Sequence, residues 1–144
     1  MRVRIDRMSE STQHPLIAMI GAGNMARAII GGLIARDHPA ARLVAADPHA
    51  ETRRAVADEF GIATHAENAQ AATGADIVVL AVKPQVIDVV TKSVAASLSG
   101  DCVVVSVAAG IPIARLHAGL GADRAVVRVM PNTPALHGAG ATGM

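Results

Sequence analysis

Short, unbroken apolar runs alternate along this chain with longer segments whose apolar residues recur at helical spacing. Leu16–Ile20 is an apolar run, and Gly21, Ala22 and Gly23 follow at once. From Asn24 to Ala35 the residues Met25, Ile29, Ile30 and Leu33 fall on one helical face and predict a helix. Leu43–Ala46 reads as the next strand, ending at Asp47-Pro48, and a charged helix is predicted from Ala50 to Phe60, with Gly61 as its stop. Ile62–Thr64 reads as a short strand, Asn68–Ala72 as a short helix and Ile77–Val82 as a fully apolar strand. Pro84 opens a helix running to Ser97. Val103–Val107 is another buried strand, Pro112 starts a helix through Leu116, and Ala125–Val129 gives a further strand. From Met130 onward the Gly, Pro, Ala and Asn residues read as loop.

Strands that are apolar throughout are buried on both faces, and their alternation with helices predicts a parallel sheet covered on each side. The expected fold is therefore a Rossmann-type doubly wound α/β domain in three layers. Composition sharpens this picture. Phe60 is the sole aromatic residue among 144, so the core must be built from Ala, Val, Ile and Leu. A chain of this length is one domain's worth. Residues 1–15, polar and mixed in charge, read as a flexible leader. Residues 16–144 read as the domain, with no closing helix or strand predicted over Gly138–Met144.

Thirteen basic against twelve acidic residues leave a net charge of +1. No basic stripe and no stacking aromatics are present, which argues against a nucleic-acid partner. No signal-like or membrane-length apolar stretch is found, so a cytoplasmic protein without a membrane partner is expected. Arg2, Arg4 and Arg7 faintly suggest a transit peptide, against which Asp6 and Glu10 count. The lone Cys102, inside an apolar run, reads as a buried core thiol. His14, His38, His49, His65, His117 and His137 show no metal-ligand spacing and read as surface residues, so no metal is expected.

The segment Gly21-Ala22-Gly23-Asn24-Met25-Ala26 fits G-x-G-x-x-[GA]. The pattern alone is weak, but an apolar strand before it and an amphipathic helix after it are its confirming context. Gly21 permits the tight turn, Gly23 lets backbone approach a pyrophosphate, and Ala26 allows close helix–strand packing. Amides at the start of the helix would then face the anion, aided by the helix dipole. An acidic residue about 20 positions further on is the usual partner of the adenine ribose, and Asp47 stands 21 residues beyond Ala26. Its carboxylate would accept the ribose hydroxyls of NADH and repel the extra phosphate of NADPH; a turn-forming Asp-Pro is the rival reading. Arg53 and Arg54 could bind that phosphate, or form the solvated face of a helix that also carries Glu51, Asp58 and Glu59.

Four segments in order carry a resemblance: Ile20–Ala26, Ala81-Val82-Lys83-Pro84-Gln85, Ser106-Val107-Ala108-Ala109-Gly110 and Arg128-Val129-Met130-Pro131-Asn132-Thr133-Pro134. Together they resemble pyrroline-5-carboxylate reductase over nearly the whole chain, from Leu16 to Met144. The Val-Lys-Pro and Met-Pro-Asn-Thr-Pro segments are far more specific than the glycine turn. The resemblance implies NADPH or NADH as cofactor. It implies that Ile20, Gly21, Ala22, Gly23, Asn24 and Met25 hold the pyrophosphate, with Asp47 beside the adenine ribose. Asn68 falls where the family has a cofactor-contacting asparagine. Ala81, Val82, Lys83 and Pro84, with Val107, Ala108 and Ala109, would line the groove toward the nicotinamide. Asn132 and Thr133 would face the nicotinamide side, with a plain turn before Pro134 as the rival reading.

The implied reaction reduces the imine of 1-pyrroline-5-carboxylate to L-proline. A protonated imine is already electrophilic, so such an enzyme mainly aligns donor with acceptor and excludes water. No residue of this chain is assigned as catalytic acid. Two departures stand out. Members that use NADPH tend to carry Ser, Thr or Arg near Asp47. Members also continue for roughly another hundred residues as a helical domain that supplies dimer contacts and most of the substrate pocket. The competing readings are a hydroxyacid-dehydrogenase-like oxidoreductase and a dinucleotide-binding fragment without catalysis.

Overall fold

Strand β1 (Ile17–Ile20) lies in the middle of a six-stranded sheet with all four of its residues buried. The computed structural model describes residues 14–131 and 142–143. Around β1 the order is β3-β2-β1-β4-β5-β6, with β2 at Leu43–Ala46, β3 at Ala63–His65, β4 at Ile77–Leu80, β5 at Val103–Ser106 and β6 at Ala125–Arg128. Every neighbouring pair in this sheet is parallel. This is the doubly wound order of a dinucleotide-binding domain.

Two helical layers cover it. Helices α1 (Asn24–Ala35) and α2 (Ala50–Phe60) bury Ala26, Ile30 and Val56 against Ile17, Met19 and Ala45. On the opposite face α3 (Asn68–Ala72), α4 (Ile87–Ala95) and α5 (Ile113–Leu120) bury Ala71, Ile87, Val94 and Leu116 against Ala18, Ile20, Leu80 and Val104. Alternate residues of β1 thus enter opposite cores, which is why the run is apolar without a break. Each fully buried Ile, Leu or Met contributes about 1.5–3 kcal/mol relative to exposure.

Several predicted boundaries shift. The third strand begins one residue later than expected, because Ile62 turns into the core under α1 and α2 before pairing starts. Strands β4, β5 and β6 stop at Leu80, Ser106 and Arg128, short of the predicted ends, as the chain leaves the ladder for the carboxyl-edge turns. Pro84 opens a single 3₁₀ turn, Pro84–Val86, and the α-helix proper begins at Ile87 and ends before Ser97. Helix α5 starts one residue after Pro112 and runs past Leu116 to Leu120, where Gly121 takes a positive φ of 113°.

The expectation of loop from Met130 onward is corrected at its ends. Met130–Pro131 (β7) pairs antiparallel with Thr142–Gly143 (β8). Two-residue strands show no alternation, and proline and glycine are poor strand residues, so the pairing left no mark in the pattern. The leader up to residue 13 and the segment 132–141 lie outside the described residues.

Candidate functional site

The strand register ends the whole sheet in one layer: Ile20 is level with Ala46 and Leu80, Leu80 with Ser106, and Ser106 with Arg128. The next residues of β2, β1, β4 and β5 are therefore Asp47, Gly21, Ala81 and Val107, side by side along the carboxyl edge. Their amides extend the ladder: Gly21 N–H donates to Ala46 O (2.8 Å), Ala81 N–H to Ile20 O (2.8 Å) and Val107 N–H to Leu80 O (3.2 Å). Strand order reverses between β1 and β4, and in such sheets the ligand crevice opens at that point. The turns after β1 and β4 flank it.

The two glycines of the first turn answer different needs. Gly21 has φ +97°, and a Cβ there would lie 2.5 Å from the Ala81 carbonyl oxygen. It is required by the fold itself, since no larger residue fits between the two turns. Gly23 has φ −79°, and a Cβ there would meet nothing within 4 Å among the described residues. Among the described residues no group explains why Gly23 lacks a side chain. It is also the N-cap of α1, and among the described residues no side chain caps that end. The amides that open a helix have no partners within it. An uncapped helix start beside open space accepts an anion, and the dipole favours one there. A pyrophosphate fits this cradle: a side chain at Gly23 would occupy the space it needs. A groove of ≈ 290 Å³ continues from Gly23 and Asn24 to Glu51, Thr52 and Ala55 of α2.

The other members of the turn form its footing. Ile20 and Ala26 are fully buried, and the Ile20 carbonyl is already engaged by Ala81. Ala22 is also fully buried, and its N–H donates to Asp47 Oδ2 (3.1 Å). Asp47 Oδ1 accepts the His49 N–H (2.9 Å) and contacts His49 Nδ1 (3.1 Å). The Asp47 carbonyl accepts Arg53 Nη1 (2.8 Å). Asp47 does stand at the expected place, yet its carboxylate faces the protein on both oxygens. His49 is exposed, as the sequence pattern expected, and Arg53, for which the sequence left open a phosphate contact or a solvated helix face, is held by the Asp47 carbonyl. The Asp-Pro-His order held a usable signal, since an aspartate often accepts the amide two residues on.

Across the crevice, Lys83 has φ −67° and ψ 145°, the extended geometry imposed by Pro84, and its side chain is exposed. Val107 is half-buried, Ala108 is buried and Ala109 is exposed. The Ala108 amide donates to Oγ of the buried Ser106 (3.3 Å), which fixes this turn from below. Asn68 donates its side-chain amide to Ser93 Oγ (3.1 Å) and ties α3 to α4. Asn132 and Thr133 lie outside the described residues. Cys102 is a free, fully buried thiol whose pKa is pushed up by burial, as suits a core residue. Among the described residues no three His, Cys, Asp or Glu side chains are grouped as for a metal ion. No described helix is long and apolar enough to cross a membrane.

Residues 16–110, which include β1 through β5 and the turns that follow them, match the family model for NADP oxidoreductase, coenzyme F420-dependent. The chain belongs to that family. A curated pyrroline-5-carboxylate reductase from Pseudomonas aeruginosa is 53% identical over 130 residues, covering 90% of this chain and 48% of the relative. The structure of a pyrroline-5-carboxylate reductase from Coxiella burnetii superposes with a TM-score of 0.85 at 37% identity, over 90% of this chain and 48% of that one. A Plasmodium falciparum pyrroline carboxylate reductase with NADP bound gives 0.77 at 26% identity, over 89% and 46%. The chain spans about half the length of the curated relatives it matches.

Proposed function

We propose that this chain forms the dinucleotide-binding part of a pyrroline-5-carboxylate reductase, which reduces 1-pyrroline-5-carboxylate to L-proline with NADPH or NADH. The cofactor half of this reading rests on Gly23, a residue the fold leaves free to carry a side chain, at an uncapped helix start on the switch point of the sheet. The substrate half is supported by the likeness to reductases named for that reaction and by the Val-Lys-Pro and Met-Pro-Asn-Thr-Pro segments.

In this reading the amides of Gly23, Asn24 and Met25 hold the pyrophosphate, and the adenosine lies toward Asp47. Ala81–Pro84 and Val107–Ala109 form the walls toward the nicotinamide, and Asn132 and Thr133 stand on its far side. Asn68 contributes at the groove's margin. When bound, the dinucleotide supplies hydride to the imine carbon. The protein's part is to fix the pyrophosphate at α1, to hold the nicotinamide wall rigid through Ser106 under Ala108, and to leave one face open for substrate. No proton donor is assigned among these residues. The reductase is taken to be a cytoplasmic enzyme, whose substrate pocket and homo-oligomer contacts come from a second, helical half.

Isothermal calorimetry of the purified chain with NADPH and NADH tests the cofactor reading, with binding expected for at least one. The substrate reading is tested by assaying proline formation from 1-pyrroline-5-carboxylate with this domain joined to the helical half of the Pseudomonas aeruginosa relative. Binding without turnover in that chimera would remove the substrate assignment and leave the cofactor site.

A further inference from the structure

The acidic residue after β2 is expected to read the adenosine ribose by accepting both its hydroxyls. Here that carboxylate is 13% exposed and already engaged. An ionised carboxylate offers about four acceptor positions. The Ala22 amide takes one on Oδ2 and the His49 amide takes one on Oδ1, with His49 Nδ1 3.1 Å from the same oxygen. Each oxygen is thus already engaged by a backbone amide before any ribose hydroxyl approaches. The backbone of Asp47 is tied as well, its N–H to His65 O (3.1 Å) and its carbonyl to Arg53. What the side chain visibly does is hold the amide of a fully buried residue inside the glycine turn.

We propose that Asp47 is a positioning residue for the pyrophosphate cradle, acting through the Ala22 amide, and not the residue that discriminates at the ribose. The proposal rests on the dinucleotide reading above. With Asp47 fixing Ala22, the next amides, those of Gly23, Asn24 and Met25, are presented together toward the anion. Removing the carboxylate leaves a buried N–H without its acceptor, and the turn rearranges to find another. The loss is then felt at the pyrophosphate, which every dinucleotide shares. It does not depend on the substituent of the ribose.

The experiment compares NADH, NADPH and an NADH analogue lacking the adenosine 2′-hydroxyl, binding to the full chain, in wild type, Asp47→Ala and Asp47→Asn. Asp47→Ala is expected to weaken all three ligands by a common factor of about tenfold. Asp47→Asn, which keeps one oxygen for the Ala22 amide, is expected to recover most of that loss with the wild-type ratio among the ligands. A loss confined to NADH and absent for the 2′-deoxy analogue would overturn the proposal, as would a gain for NADPH alone. Should the alanine variant fail to fold, the ratio measured on Asp47→Asn decides in the same way. A wild-type chain that binds none of the three would bring down the dinucleotide reading itself, and this proposal with it.

Discussion

Beside the crevice, Gly21 and Gly23 separate folding from binding within three residues. Placing a methyl group at Gly21 forces a positive φ on an L-residue and drives the methyl into the Ala81 carbonyl. Gly21→Ala should therefore cost about 2–4 kcal/mol and lower the melting temperature by several degrees. Gly23→Val should leave the melting temperature almost unchanged, with a stability cost under about 1 kcal/mol at this N-cap, while calorimetry finds dinucleotide binding lost. Equal melting losses in the two variants would contradict the division. The motif was legible in sequence, and so was the need for positive φ at its start. Which glycine serves the chain and which serves a ligand was not, because the answer depends on Ala81, sixty residues away. The engagement of Asp47 was hidden for the same reason: the Ala22 amide lies 25 residues earlier.

At the level of elements, α4 and α5 meet over a glycine. A Cβ at Gly119 would fall 2.0 Å from Oγ1 and 2.6 Å from Cβ of Thr91, a buried residue on α4. Gly119→Ala should destabilise by about 1–3 kcal/mol despite alanine's better helix propensity. Adding Thr91→Ala removes the contact with Oγ1 but keeps the Cβ, so it should recover only part of that penalty, which a double-mutant cycle of thermal melts would measure. The same helices are bridged at the surface by Arg115 and Asp88, whose Nε–Oδ1 distance is 2.9 Å. The guanidinium beside Asp88 holds its carboxyl below the ordinary value. A depressed folded-state pKa contributes stability above the unfolded pKa and loses it as pH falls through the folded one. Arg115→Met should thus flatten the acid limb of the stability curve and barely change melting at neutral pH. Sequence periodicity gave each of these helices its existence and type. It ended α5 at Leu116, whereas the helix runs on to Leu120.

For the molecule as a whole, the alternation of apolar runs and helical stretches was enough to name the architecture, because strands buried on both faces cannot hide their composition. The antiparallel pair Met130–Pro131 with Thr142–Gly143 was beyond it, because each strand is two residues long and one of the two is a proline or a glycine. The crevice is bordered by exposed residues at Lys83, Val86, Ala109 and Gly110. Hydride transfer needs an imine held about 3–3.5 Å from its donor with water kept away. The 144-residue polypeptide is accordingly expected to bind dinucleotide and yet to form proline from 1-pyrroline-5-carboxylate at a rate indistinguishable from the uncatalysed control. Turnover by this polypeptide alone would show that the described turns suffice for catalysis.

The central place of β1 has a consequence in time. Its first partner, β2, follows within 26 residues, but Ile17 pairs on the other side with Ile77. During synthesis at about 5–20 residues per second, the second edge of β1 waits some 3–12 seconds for its partner to emerge. For that interval Ile17–Ile20 presents a bare apolar ladder, the kind of edge on which neighbouring chains pair. The residue order that opens a ligand crevice at the switch point is therefore also the order that leaves the nascent chain most dependent on being shielded.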